Sequence, residues 1–369
     1  MPRVTFSLDD LQREMSTFSR KNAQAKQRLV DWQDEEPQHA QREVVLIRGK
    51  ARLFHYRPRT PVPHQTPLLM VYSLVNRPYM VDLAPESSLI QELLDTGLEV
   101  YLIDWGYPDR EDLRRTLGDY IARDLDACVE TIRTRHQIEQ VNLLGICQGG
   151  TFCLCYCALQ AAKVKNLILT VTPVDFQTPG DLLSHLLRGI DVAALVCAYG
   201  NISGDFLNAI FIAQKPLKFT HQKYVDFVEH ADDDAASGLF LAMEKWIFDS
   251  PSLAGEAFRE FAQGCYQTNG LVNGTLQVAT QNIRLQTLKM PVLNLFARDD
   301  HLVPPAAARA LGGLIGSTDY TEVELAGGHI GIYVNAKTRA QLVATVMGWL
   351  AAREGPVTQK AGARSKRLP

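Results

Sequence analysis

The sequence predicts an α/β protein: a mostly parallel sheet flanked by helices, with a mostly helical insertion late in the chain. Short runs rich in Leu, Val and Ile at 67–72, 98–104 and 140–146 are separated by helix-length segments such as 119–136, which is βαβ spacing. Further runs at 165–172, 291–297 and Tyr320–Leu325 continue the series. Between 176 and 288 that rhythm lapses into helical patterns, among them 235–248 and 252–263, with few convincing strands.

In chain order, Ser7 three residues before Asp10 resembles a capping box, and Leu8, Leu11, Met15 and Phe18 follow at helical spacing, so 7–32 reads as an amphipathic helix. The run Asp34-Glu35-Glu36-Pro37 breaks it and leads to strand-like segments at 44–47 and Ala51–Tyr56. A helix-compatible run occupies 151–162, and a closing helix is expected near 338–352. The expected organisation is an N-terminal helical segment (1–40), a core in two pieces (41–175 and 289–353) and a cap insertion (176–288). The last piece, 354–369, carries Lys360, Arg364, Lys366 and Arg367 without apolar periodicity and reads as a flexible basic tail.

Composition removes several function classes. The chain has 369 residues, 46% of them hydrophobic and 21% charged, which is globular and enough to bury a sizeable core. Net charge is 38 − 41 = −3, so no basic field gathers nucleic acid. The first residues lack an apolar signal region, Asp9, Asp10 and Glu14 standing where one would be greasy, so an intracellular protein is expected. The most apolar stretch, 182–199, is interrupted by His185, Arg188 and Asp191 and falls short of a membrane span. Seven cysteines, an odd number, fit reduced thiols better than a disulfide framework.

Chemistry concentrates in Gly145-Ile146-Cys147-Gln148-Gly149, between a strand and a helix. G-x-C-x-G is the cysteine form of the nucleophile elbow, whose tight turn needs small residues two before and two after the nucleophile. At a helix start the positive end of the dipole favours a Cys147 thiolate, and the Gln148 backbone N–H can face an oxyanion. An elbow in an α/β-hydrolase fold calls for an acid and then a histidine, each after a later strand. Asp299 and Asp300 follow the run at 291–297; His329, between glycines, follows Tyr320–Leu325. Spacing alone does not choose between the two aspartates. Cys153, Cys155 and Cys157 split between two helix faces, make no tetrahedral metal set and read as packing. Cys128, Cys197 and Cys265 show no partner pattern. His301 reads as structural and Arg77 as ordinary solvated surface.

These motifs, with Val71-Tyr72-Ser73-Leu74-Val75-Asn76-Arg77-Pro78-Tyr79-Met80, Leu102-Ile103-Asp104-Trp105-Gly106, Val171-Thr172-Pro173-Val174-Asp175-Phe176 and Glu244-Lys245-Trp246-Ile247-Phe248-Asp249-Ser250-Pro251, resemble the catalytic subunit of a short, two-component (class III) polyhydroxyalkanoate synthase. The resemblance runs from about residue 4 to 352. It implies a Cys147 nucleophile, a His329 base and an Asp300 acid, with Val75 N–H joining Gln148 N–H in the oxyanion hole. It further implies polymerisation of (R)-3-hydroxyacyl-CoA, chiefly 3-hydroxybutyryl-CoA, with release of coenzyme A, and no metal or prosthetic group; against their plainer readings, His301 could contact coenzyme A, and Arg77 and the basic tail could meet its phosphates. A cytoplasmic location on polyester granules is also implied, and so, because the long N-terminal extension of one-component synthases is lacking, are homodimerisation and a second non-homologous subunit. The cap aromatics Trp246, Phe248 and Tyr266 and the 182–199 stretch either cover the site, guide polymer or meet another subunit, or simply fill the cap's own core. The alternatives are a cysteine thioesterase of the same fold and a non-catalytic granule-binding protein.

Overall fold

The computed structural model describes residues 7–31, 40–59, 61 and 66–354. The acidic break at 34–37 and the basic tail beyond Glu354 lie outside these residues.

Eight strands form one sheet: β1 (Arg42–Arg48), β2 (Ala51–Tyr56), β3 (Leu68–Val71), β4 (Val100–Asp104), β5 (Val141–Ile146), β6 (Val164–Thr170), β7 (Val292–Ala297) and β8 (Tyr320–Leu325), in the order β1-β2-β4-β3-β5-β6-β7-β8. The pairs β1–β2 and β2–β4 are antiparallel; from β4 through β8 every pair is parallel. Every residue of β3, β4, β5 and β7 is buried, as near-continuous apolar runs require, whereas the edge strands β1 and β8 are partly exposed. Alternation along the strands builds two cores. Leu69, Val71, Leu143 and Leu169 face one side, and Leu68, Met70, Leu144 and Ile168 face the other.

Helices cover both faces. The first four are α1 (Leu8–Asp31), α2 (Leu89–Asp95), α3 (Asp126–His136) and α4 (Gln148–Gln160). Phe152 of α4 and Val129 of α3 enter the first core, while Leu93 of α2 and Leu342 and Val346 of the closing helix Ala336–Ala351 enter the second. The stretch expected as one helix over 119–136 divides: Asp119–Leu125 is wound as a π-helix before α3 begins. The helix expected from 151 begins earlier, at Gln148, directly after Cys147.

Between β6 and β7 the chain is mostly helical: α5 (Leu182–Arg188), α6 (Val192–Tyr199), α7 (Gly204–Gln214), α8 (Lys223–Glu229), α9 (Asp234–Phe248) and α10 (Gly255–Phe261). The apolar 182–199 stretch is two helices meeting at 81°, and no single helix among the described residues is long and apolar enough to cross a membrane. The N-terminal helix docks here rather than on the sheet. Ala25 is buried with Phe227 and Ala231, Arg28 Nε donates to the Ala231 carbonyl at 2.8 Å, and Lys21 pairs with Asp232 at 3.4 Å. Small-residue packing and charge against the acidic turn at 232–234 thus anchor the C-terminal half of α1. Met15 and Phe18, part of the apolar spacing that marked this helix in the sequence, are 62% and 55% exposed.

Arg339 of the closing helix is 3% exposed, and its guanidinium donates to Glu92 Oε1 (2.7 Å), Ser87 Oγ (3.2 Å) and the carbonyls of Glu86 (2.8 Å), Tyr333 (3.1 Å) and Val334 (3.0 Å). It joins α2 to the segment that follows His329. Arg339→Met leaves the Ser87 hydroxyl and the Tyr333 carbonyl buried without this donor and removes the ion pair with Glu92, a loss of about 2–4 kcal/mol of folding stability. Chemical denaturation measures it, and a midpoint equal to wild type contradicts the assignment.

Candidate active site

Cys147 sits between β5 and α4 with φ 55° and ψ −126°, a conformation that side-chain-bearing residues rarely adopt. The flanking glycines explain how the chain turns there. A Cβ on Gly145 would lie 2.4 Å from Gly150 Cα, and one on Gly149 would lie 2.1 Å from the Val71 carbonyl oxygen. Only hydrogen at both positions lets the start of α4 press against β3 and β5, leaving the Cys147 thiol at the carboxyl end of the sheet.

The loop after β7 separates the two aspartates. Asp299 is exposed. Asp300 is 6% exposed; its Oδ1 accepts from the backbone N–H groups of Leu302 and Val303, both at 2.9 Å, and its Oδ2 lies 2.7 Å from His329 Nδ1. Asp300 is therefore the aspartate that meets the histidine. His329 is 7% exposed and also lies within hydrogen-bonding reach of Cys147. Burial pushes its imidazole toward the neutral form, but the Asp300 charge and Cys147 outweigh that and hold its pKa well above the ordinary value. With Nδ1 turned to Asp300, Nε2 is left for the thiol.

Residues 72–76 follow β3 and face the elbow. Val75 and Gln148, the residues expected to supply oxyanion donors, line the same cavity as Cys147. The Gln148 side chain does something the sequence did not reveal: its Oε1 accepts from Leu74 N–H at 3.0 Å, tying the loop to the elbow helix. Ser73 Oγ donates to the Val75 carbonyl at 2.5 Å and tightens the same turn.

The cavity above Cys147 has a volume of about 290 Å³ and a largely apolar lining drawn from both core and cap. Trp246 and Tyr266 line it, together with Leu183 and Leu187 of α5; Phe248 does not, being 57% exposed. Leu182 and Leu186, on the other side of α5, are exposed. His301 also lines the cavity and stacks on Phe219, with ring centroids 5.8 Å apart. Burial pushes its pKa down to about 4, aided by the Lys215 charge.

Arg77, expected as solvated surface, is instead 6% exposed; it pairs with Asp104 at 2.7 Å and lies over the Tyr107 ring. Its partners come from the end of β4 and the loop after it, which the sequence around Arg77 does not advertise. Cys153, Cys155 and Cys157 are buried, and burial raises their pKa values, which suits packing rather than reaction. Cys128 and Cys265 are likewise buried, and Cys197 is exposed. Among the described residues no group of His, Cys, Asp and Glu is arranged to hold a metal ion.

Comparison with known proteins agrees with this geometry. The alpha/beta hydrolase fold model matches residues 66–336, and the model of the poly-beta-hydroxybutyrate polymerase (PhaC) N-terminus matches residues 8–93. Poly(3-hydroxyalkanoate) polymerase subunit PhaC of Allochromatium vinosum is 48% identical over 93% of this chain and 97% of its own length. The same-named subunit of Thiocystis violacea is 46% identical over the same shares, and that of Haloferax mediterranei 35% identical over 96% of this chain and 73% of its own. A thermophilic esterase from Thermogutta terrifontis (16% identity, TM-score 0.50, 86% of this chain and 100% of that one) and Rv0554 from Mycobacterium tuberculosis (15%, 0.51, 83% and 95%) share the fold. An α/β-hydrolase core matched over nearly its whole length by polymerase subunits is the combination that the motifs implied, and the chain belongs to the PhaC family of poly(3-hydroxyalkanoate) polymerases.

Proposed function

We propose that Cys147, His329 and Asp300 are the catalytic triad with which this polyester-forming acyltransferase polymerises (R)-3-hydroxyacyl-CoA, chiefly short-chain units such as 3-hydroxybutyryl-CoA. The observation that carries the reading is the Asp300–His329–Cys147 chain of contacts opening into an apolar cavity. His329 takes the thiol proton, and Cys147 attacks the thioester carbonyl. A C–S bond forms to the enzyme as the C–S bond to coenzyme A breaks, and the departing thiolate takes the proton back from His329. The acyl-enzyme is again a thioester, so the acyl group stays reactive.

The hydroxyl of a further hydroxyacyl-CoA then attacks the acyl-enzyme, losing its proton to His329 Nε2; a C–O bond forms as the C–S bond to Cys147 breaks, the freed thiolate takes the proton back, and the lengthened acyl-CoA reloads Cys147 by the first step. Asp300 acts through His329 rather than directly, because one of its oxygens holds two backbone N–H groups and the other holds the imidazole. Val75 N–H and Gln148 N–H stabilise the oxyanion in both steps, each fixed donor contributing about 3–4 kcal/mol to lowering the barrier. Water competes with the hydroxyl for the same thioester, and the cap excludes it. The chemistry needs no cofactor: coenzyme A is the leaving group. We further propose that the chain works as a homodimer with a second, non-homologous subunit, in the cytoplasm at the surface of polyester granules. The word subunit in the relatives' names supports the partner, and a product that leaves solution supports the location.

Purified protein given (R)-3-hydroxybutyryl-CoA, with and without a candidate second subunit, is expected to release coenzyme A and deposit insoluble polymer together, and Cys147→Ala abolishes both. Soluble 3-hydroxybutyrate without polymer would instead mark a thioesterase. A second prediction concerns charge. Asp300→Asn removes the largest influence that raises the His329 pKa against burial, so the imidazole becomes a weaker base toward the Cys147 thiol. Iodoacetamide alkylation of Cys147 then slows at least about ten-fold near pH 7, and acyl transfer falls by roughly 10²–10⁴. Asp299→Asn leaves both rates within about two-fold, a surface substitution having little effect. Equal effects at the two aspartates contradict the assignment.

A further inference from the structure

The loop that carries Val75 is held from two sides. On the core side Leu74 N–H is bound by Gln148. On the other side the next residue, Asn76, reaches into the cap: its Nδ2 donates to Ser250 Oγ at 2.8 Å and to the Trp246 carbonyl at 3.2 Å, with the Ile247 carbonyl at 3.5 Å. Asn76 has φ 60°, the left-handed region that asparagine enters more readily than most residues but still at a cost. The acceptors belong to the last turn of α9 and the turn after it. That turn is itself braced: Ser250 Oγ donates to Asn208 Oδ1 at 3.0 Å, Asn208 Nδ2 to the Ile247 carbonyl at 2.7 Å, and Trp246 Nε1 back to the Arg77 carbonyl at 2.8 Å. Tyr79 and Tyr107 both donate to Asp249, at 3.0 and 2.6 Å.

We infer that Asn76 is a positioning residue that makes the oxyanion hole depend on the seating of the cap. The inference rests on Val75 N–H being an oxyanion donor. The peptide bearing that N–H lies between the Gln148 anchor and the Asn76 anchor, and only the second belongs to the cap. When α9 is seated, Asn76 is paid for its left-handed conformation by its hydrogen bonds and Val75 N–H faces the elbow. When α9 withdraws, those acceptors leave with it, Asn76 relaxes, and the donor turns away from Cys147. The thioester is thus activated only while the cavity is closed, which couples acyl transfer to the exclusion of water. Because α9 also packs against α1 and α8, a molecule bound to that outer surface can shift the same lever.

The test uses p-nitrophenyl butyrate as acyl donor, so that it reads acylation of Cys147 whether or not the polyester reading holds; failure of that reading shows separately as absent polymer from hydroxybutyryl-CoA. Asn76→Gly keeps the backbone conformation accessible and deletes the cap contacts. It is expected to slow the acylation burst at least about ten-fold, a fraction of the 10²–10³ lost with a whole donor. KM stays within two-fold of wild type, as does iodoacetamide alkylation of Cys147, which needs no oxyanion hole. Ser250→Ala, altered only on the cap side, shifts the burst rate in the same direction by less, and the double variant is no slower than Asn76→Gly alone. Acylation by Asn76→Gly or Ser250→Ala at the wild-type rate overturns the inference. So does an equal fall in alkylation, which marks general damage to the elbow, or a wild-type protein that the ester never acylates.

Discussion

The site depends on the close approach of the start of α4 to the end of β3. Hydrogen is the largest substituent that Gly149 tolerates against the Val71 carbonyl, and Gly145 is equally confined by Gly150. That contact forces Cys147 into its left-handed turn, aims the thiol out of the sheet, and brings the Gln148 side chain within reach of Leu74. A methyl group at either glycine would push the helix outward and disturb Cys147 and the loop at 72–76 at once. The strain at Cys147, of order 1–3 kcal/mol, persists because the surrounding packing fixes it.

Around this turn the chain sets two opposed environments. Asp300 and His329 are buried, yet each is satisfied: the carboxylate by two backbone N–H groups and the imidazole, the imidazole by the carboxylate and the thiol. Their charges are sustained by one another in a setting that penalises isolated ions. The cavity walls are apolar and come largely from the cap. Charge is therefore concentrated at Asp300 and His329 beside Cys147, where a low-dielectric surrounding strengthens it, and is sparse along the cavity walls.

The sheet and the elbow were readable because they rest on local rules. Near-continuous apolar runs in β3, β4, β5 and β7 reflect burial on both faces, and G-x-C-x-G reflects a steric limit on two particular residues. Non-local features were harder. Asp299 and Asp300 are adjacent and chemically identical in sequence, and only the turn at 300–303, which donates two N–H groups to one of them, separates their roles. Arg77 read as surface because nothing near it in sequence signals Asp104 across the sheet. The Gln148–Leu74 and Asn76–Ser250 contacts join residues 74 and 174 positions apart, and no periodicity records such pairs. The stripe containing Met15 and Phe18 shows the converse: correct spacing for a helix did not say what that face would cover.

In the proposed chemistry the growing ester is held as a thioester on Cys147. The most direct test is to mix the protein with (R)-3-hydroxybutyryl-CoA, quench in acid within the first turnovers, and locate the adduct by peptide mass spectrometry. The prediction is one or more hydroxybutyryl units on the peptide carrying Cys147, labile to hydroxylamine as a thioester is. Coenzyme A release with Cys147 unmodified and the acyl group on another residue, or on none, would contradict it.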